Sequence, residues 1–139
     1  MTTQPPGAEP AKSRTHYPGT HYPGRAPIDA YGNGGFRFAD MSHRGSLICL
    51  PSGIYGWQPR VVADITLADF AIALAEGAAL DLLLLGTGAT QVFVSRELKR
   101  AVEAAGIALE AMATGAAART YNVLLAEGRP VGAALLAVD

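Results

Sequence analysis

The residues best placed to do chemistry lie between Ala113 and Glu127, in the segment ATGAAARTYNVLLAE. Thr114 stands where a helix N-cap belongs, and Gly115 to Ala118 leave the first-turn N–H donors almost bare of side chains. Such a helix start carries partial positive charge and suits a carboxylate, a phosphate or a backbone carbonyl. Arg119 adds a full charge one turn in, and Asn122, three residues on, shares its face. Just upstream, Glu110 is the single carboxylate in the apolar run Ile107 to Met112. A carboxylate buried there needs a partner, for which Arg119 or Arg37 is available; without one it becomes a candidate general base. These groups define one reading of the chain, an anion-binding protein or enzyme built on the Thr114 helix start with Arg119 and Glu110. The competing reading is structural: TGAAA is a close crossing where small residues let two backbones approach.

A second glycine-bearing corner, Gly86-Thr87-Gly88, follows the run Leu82-Leu83-Leu84-Leu85. It lacks the Gly-Lys-Ser/Thr ending of a phosphate loop and the third glycine of a dinucleotide fingerprint. Its glycines serve equally to let the loop pass the start of the Thr114 helix. Cys49 lies in an apolar run with no histidine beside it in sequence, which describes a buried small hydrophobe. His16 and His21 fall in a tandem Thr-His-Tyr-Pro-Gly repeat, each copy with a Pro-Gly turn, and two histidines fall short of the ligand set of a structural metal site. No metal and no cofactor is expected.

The elements that position these residues follow from periodicity. The run Leu80 to Leu85 is short, glycine-bounded and apolar throughout, as in a central strand covered on both faces. A helix begins at Ser95, with Leu98, Ala101, Val102 and Ala105 on its apolar side and Gly106 as its stop. Ile107 to Met112 is the next strand, and strand, helix, strand makes a crossover with parallel strands. Gly86-Thr87-Gly88 and Thr114-Gly115 then share one edge of the sheet, where open α/β sheets bind ligands. Ala117, Tyr121, Leu124 and Leu125 dock the last helix, and Val131 to Val138 adds a strand of underived direction. Upstream, Asn33-Gly34-Gly35 is a turn, Phe36-Arg37-Phe38 a short strand with Arg37 facing away from both phenylalanines, and Ser46 to Leu50 a second strand. An N-terminal β-hairpin joining those two strands is expected, with His43 in its turn. Thr66 and Asp69 match a capping box ahead of a helix ending near Gly77.

The chain has 139 residues, half of them hydrophobic, and a net charge of −1. That suits one globular domain over residues 28–139, after a Pro/Gly-rich tail, residues 1–27, too poor in aliphatics to order itself. Scattered, balanced charges offer no basic stripe for a phosphate backbone, so nucleic acid is not expected as a partner. One cysteine fits a reducing compartment, and the run Ala78 to Leu85 is too short to span a bilayer. A soluble, cytoplasmic protein is expected.

Several blocks resemble a known family. They are Ile28-Asp29-Ala30-Tyr31-Gly32 with Gly34-Gly35-Phe36-Arg37-Phe38; Gly45-Ser46 and Leu50-Pro51; Leu84 to Gly88; and Glu110-Ala111-Met112 through Thr114-Gly115-Ala116-Ala117 to Arg119-Thr120-Tyr121-Asn122. In these the chain is similar to the Mth-like domain family, which includes mitochondrial complex I assembly factor three and an adipogenesis-associated protein. The resemblance implies a three-layer α/β fold whose central sheet, with helices packed on it, is mixed and mainly parallel, with an antiparallel strand, and no established reaction. It implies a non-enzymatic interaction module whose partners are proteins such as respiratory-complex subunits or assembly factors. On that reading Gly86, Thr87, Gly88, Thr114 and Gly115 form the contact edge, with Arg119 and Asn122 reading a carbonyl or carboxylate.

Overall fold

Alternation in Ser46–Leu50 (β5) decides the layering of the molecule: Leu47 and Cys49 point to one side of the central sheet, Ile48 and Leu50 to the other, and all four are buried. A computed structural model describes residues 21–139. The first Thr-His-Tyr-Pro-Gly copy, with His16, lies outside the described residues.

Six strands form the central sheet. Besides β5 they are His21–Tyr22 (β1), Gly53–Trp57 (β6), Leu82–Gly86 (β7), Ala108–Met112 (β8) and Val131–Leu135 (β9), in the order β1-β6-β5-β9-β7-β8. β7 runs parallel to both β8 and β9, with Leu84 opposite Glu110 on one side and Ala133 on the other. The remaining pairings, β1 with β6, β6 with β5 and β5 with β9, are antiparallel. The sheet is therefore mixed, with its parallel part confined to the three strands that the helices connect. The crossover from β7 runs through Arg96–Ala104 (α2), capped by Ser95, whose hydroxyl accepts the Leu98 N–H at 3.1 Å. Thr114–Ala126 (α3) makes the second crossover, from β8 to β9, and so fixes the direction that sequence left open for β9.

α3 covers one face of the sheet. Ala117, Ala118 and Tyr121 pack there with Leu47, Cys49, Leu84, Ala133 and Leu135. Val102 of α2 covers the other face with Phe70, Ala73, Leu83, Leu85 and Leu109. Phe70 ends a 3-10 turn, Leu67–Phe70, which passes into a single helical turn, Ala71–Leu74 (α1), rather than a continuous helix to Gly77. The Asp69 carboxylate accepts the Thr66 N–H at 2.8 Å, closing that turn's start.

A second, three-stranded sheet packs on the α3 side: Ala30–Gly32 (β2), Gly35–Phe38 (β3) and Met41–Arg44 (β4), in the order β2-β3-β4. This corrects the expected hairpin. Phe36 to Phe38 does not pair with Ser46 to Leu50; Ala39 and Asp40, both at positive φ, turn β3 back onto β4. β5 pairs instead with β6 and β9. The Asn33-Gly34 turn joins β2 to β3 as its residue types require, since Asn33 has φ 53° and Gly34 φ 80°. His43 is in β4 rather than a loop, buried, with its Nε2 2.9 Å from the Ser46 carbonyl. Residues 21–27, assigned by composition to the tail, also depart from expectation: β1 pairs with β6 and Ala26 is buried.

Candidate functional site

The carboxyl ends of β7, β8 and β9 meet at one rim, and Thr114 fastens them together. Its hydroxyl donates to the Leu136 carbonyl at 2.8 Å and accepts the Gly88 N–H at 2.9 Å. Its own N–H reaches the Gly88 carbonyl at 2.9 Å. Thr114 is completely buried and makes no hydrogen bond to the first turn of its helix. The expected N-cap role is therefore replaced by a staple between two loops and a strand end.

Gly86 is what permits this closeness: a Cβ there would lie 2.9 Å from Thr114 Cα, which the backbone cannot yield. Thr87 is buried, with its hydroxyl donating to the Thr90 carbonyl at 2.7 Å and accepting the Val92 N–H at 3.0 Å, which folds the loop after β7 back on itself. Gln91 Nε2 donates to the Ala111 carbonyl at 2.9 Å and Lys99 Nζ to the Leu109 carbonyl at 3.1 Å. Two carbonyls of the edge strand β8 are thereby covered by side chains.

The two glycine corners thus converge, but the helix start is not open. A Cβ at Gly115 would collide with the Tyr31 hydroxyl, because Tyr31 reaches across from β2 and roofs the first turn. Asn122 is also engaged internally. Its Oδ1 accepts the Ile28 N–H and its Nδ2 donates to the Ile28 carbonyl, both at 2.8 Å, so it reads a carbonyl of its own chain in the manner of a one-residue strand pairing. Arg119 is exposed and lines neither the cleft at the rim nor the one on the β2-β3-β4 sheet. Glu110 is exposed on β8, which lies at the sheet edge, so the burial that made it a candidate base is not there.

What remains at the rim is a cleft of about 580 Å³ lined by Gly34, Arg60, Val61, Thr87, Gly88 and Val92, among others. Val61 and Val92 are 53% and 41% exposed, and Phe93, next along the loop, is 83% exposed. These three side chains form exposed apolar surface along the loop that Thr87 ties down. Sequence reasoning missed them, although Val92-Phe93-Val94, apolar and aperiodic between a strand and a helix, is a visible signal. It also missed Tyr31 and Ser46, whose hydroxyl accepts the Ala137 N–H at 3.1 Å across 91 residues.

Burial displaces three titratable groups inside the molecule from their ordinary values. Burial pushes the Cys49 thiol well up, against a smaller opposite effect from a hydrogen bond with Tyr121, and burial likewise raises the Tyr121 hydroxyl. Burial lowers His43 below its ordinary value of 6.5, partly offset by its bond to Ser46. Among the described residues no group of three or more His, Cys, Asp or Glu side chains is placed to hold a metal ion. No helix among them is long and apolar enough to cross a membrane.

Comparison with known proteins places this geometry in context. A family model described as a protein of unknown function (DUF498/DUF598) matches residues 28–136. An uncharacterized protein of Rhodobacter capsulatus is 43% identical over 115 residues, covering 83% of this chain and 87% of that protein. The NADH dehydrogenase (ubiquinone) 1 alpha subcomplex assembly factor 3 of Mus musculus is 29% identical over 117 residues, 84% of this chain but 63% of the assembly factor. Its counterpart in Homo sapiens is 30% identical, and there the match covers 78% of this chain and 59% of the assembly factor. This chain therefore spans less than two thirds of the assembly factors it matches. Among solved structures, one from Bartonella henselae described as an outer membrane protein is 53% identical with a TM-score of 0.81, covering 85% of this chain and 99% of that one. A Mth938-like domain from Bordetella pertussis is 34% identical with a TM-score of 0.71, covering 80% and 85% respectively.

Proposed function

From the premise that this chain belongs to the family of unknown function DUF498/DUF598, we propose that it works by protein contact, as an assembly-factor-like module for a respiratory NADH dehydrogenase. The observation that carries the reading is the similarity over 84% of this chain to a protein named for assembling that enzyme. The rim adds support: the Thr87 and Thr114 hydroxyls are spent on holding loops, while exposed apolar side chains, Val61 and Val92, stand beside the charged Arg60 and Asp139.

The contact surface on this reading is the cleft lined by Thr87, Gly88, Val61 and Val92, together with the exposed Phe93 next along the loop. An exposed aromatic on a pinned loop is the type of anchor that fills a partner's pocket and dominates an interface. Gly86 and Thr114 shape this edge from beneath, Gly115 lies under Tyr31 instead, and Arg119 and Asn122 do not enter it. We place the protein in the cytoplasm, where its lone cysteine stays reduced.

The test is affinity purification of the tagged chain at native expression, alongside Phe93→Asp. Respiratory-complex subunits or their assembly proteins should be recovered with the unaltered chain and lost with the variant. Recovery of neither, under conditions that retain weak partners, would count against the proposal.

A further inference from the structure

The outer face of the β2-β3-β4 sheet carries an uncompensated charge pattern. Strand register puts Ala30 opposite Arg37, Arg37 opposite Ser42, and both Gly32 and Arg44 opposite Gly35. Those six residues share the outer face; Tyr31, Phe36, Phe38 and His43 take the inner one. Apart from the two arginines, the outer face thus bears only glycine, alanine and serine, and no acid. Arg37 and Arg44 are both exposed, and neither has an ion-pair partner among the described residues. The contact of Arg37 Nη1 with Ser42 Oγ, at 3.5 Å, is too long to hold it firmly. Both guanidinium-bearing residues line one cleft of about 380 Å³, where Gly32 leaves open space in place of a side chain.

Diagonal neighbours on an antiparallel face stand roughly 7–8 Å apart. Alternate residues of an extended chain repeat at about 7 Å, so acids at every second position match the two cations in spacing as well as sign. We propose that this face binds an extended acidic peptide segment, with one carboxylate held by Arg37 and the next by Arg44. Planar guanidinium forks suit carboxylates, and the open space at Gly32 leaves room for the peptide backbone. Two cations are too few for a nucleic-acid track. The proposal rests on the reading of this chain as a protein-contact module, and it puts a second contact surface on a different sheet from the rim.

The test titrates the isotopically labelled full chain, at low salt, with a short peptide of alternating glutamate and glycine, and separately with inorganic phosphate, following by NMR the backbone amide signals of β2, β3 and β4, which every variant retains. Saturable peptide-dependent shifts are expected at Arg37 and Arg44. They should weaken about tenfold in each of Arg37→Ala and Arg44→Ala, vanish in the double variant, and persist in Arg100→Ala. Binding should also weaken as salt is added. Absence of saturable shifts, or unchanged binding by a double variant with native circular dichroism, would overturn the proposal. So would phosphate shifting the same signals as tightly as the peptide, which would make the face a small-anion site. No native partner enters this titration, so its failure is separable from failure of the respiratory pull-down.

Discussion

Replacing Asn122 by alanine removes both ends of the clamp on Ile28. The two hydrogen bonds, each 2.8 Å, are part-buried and tie α3 to the segment leading into β2, beside a longer contact of the Tyr121 hydroxyl with the Ala26 carbonyl at 3.5 Å. Deleting the amide leaves the Ile28 N–H and C=O without their partner, at about 1–3 kcal/mol for each buried group left unsatisfied. Partial exposure lets water recover some of that, so about 2 kcal/mol in total is expected, lowering the melting temperature by roughly 5–10 °C. Ile28 and Ala26 remain packed in the core, so the loss should be local before it is global. The assay is amide hydrogen exchange beside thermal unfolding: the Ile28 amide should lose protection far more than amides in β5 or β9. Asn122→Asp keeps the acceptor for the Ile28 N–H but turns an oxygen toward the Ile28 carbonyl. It should be as destabilising as alanine near neutral pH and should recover as pH falls and the new carboxyl gains a proton to donate. If Ile28 exchange and the melting temperature are unchanged in Asn122→Ala, the clamp is not what holds this segment, and Asn122 returns as a candidate contact residue.

Gly86→Ala and Gly115→Ala should separate. The first forces a methyl against the Thr114 backbone and should cost about 1–3 kcal/mol in denaturant unfolding, whereas the second meets only the tip of Tyr31, which is 45% exposed and free to swing away. Gly115→Ala should therefore be near neutral, helped by up to about 1 kcal/mol of helix propensity. Because burial lowers the His43 pKa below 6.5, the unfolded chain takes up a proton there before the folded chain does. Stability should be complete above that value and fall as pH drops through and below it; His43→Gln should flatten this slope in melts collected across the range. The raised thiol of Cys49 should leave it inert to a disulfide reagent at about pH 8 in the native state and reactive only in denaturant, as read by thiol titration.

The contrast between Thr114 and Asn122 on one hand and Leu83 or Val102 on the other shows what was legible in the sequence. Apolar spacing located the central strand, the two crossover helices and the shared edge of Gly86-Thr87-Gly88 with Thr114, because burial of a face imposes a period on the chain. The opposition of Arg37 to its two phenylalanines was readable for the same reason. The hairpin was misjoined because Ala39 and Asp40 carry no glycine signal for their positive φ. Glu110 was read as buried because its neighbours are apolar, and only the position of β8 at the sheet edge explains its exposure.

By itself the sequence determined the layered α/β architecture, the parallel core, the convergence of two glycine corners and a kinship with a family of unknown function. Those features depend on local composition and on a periodicity that one strand or one helix already contains. Only the tertiary structure decided that the Thr114 hydroxyl is spent on Leu136 and Gly88, that Tyr31 roofs Gly115, and that Asn122 holds Ile28. Each of these joins residues 22 to 94 positions apart, and a polar side chain's partner at such distance is set by how elements pack, which no local pattern records.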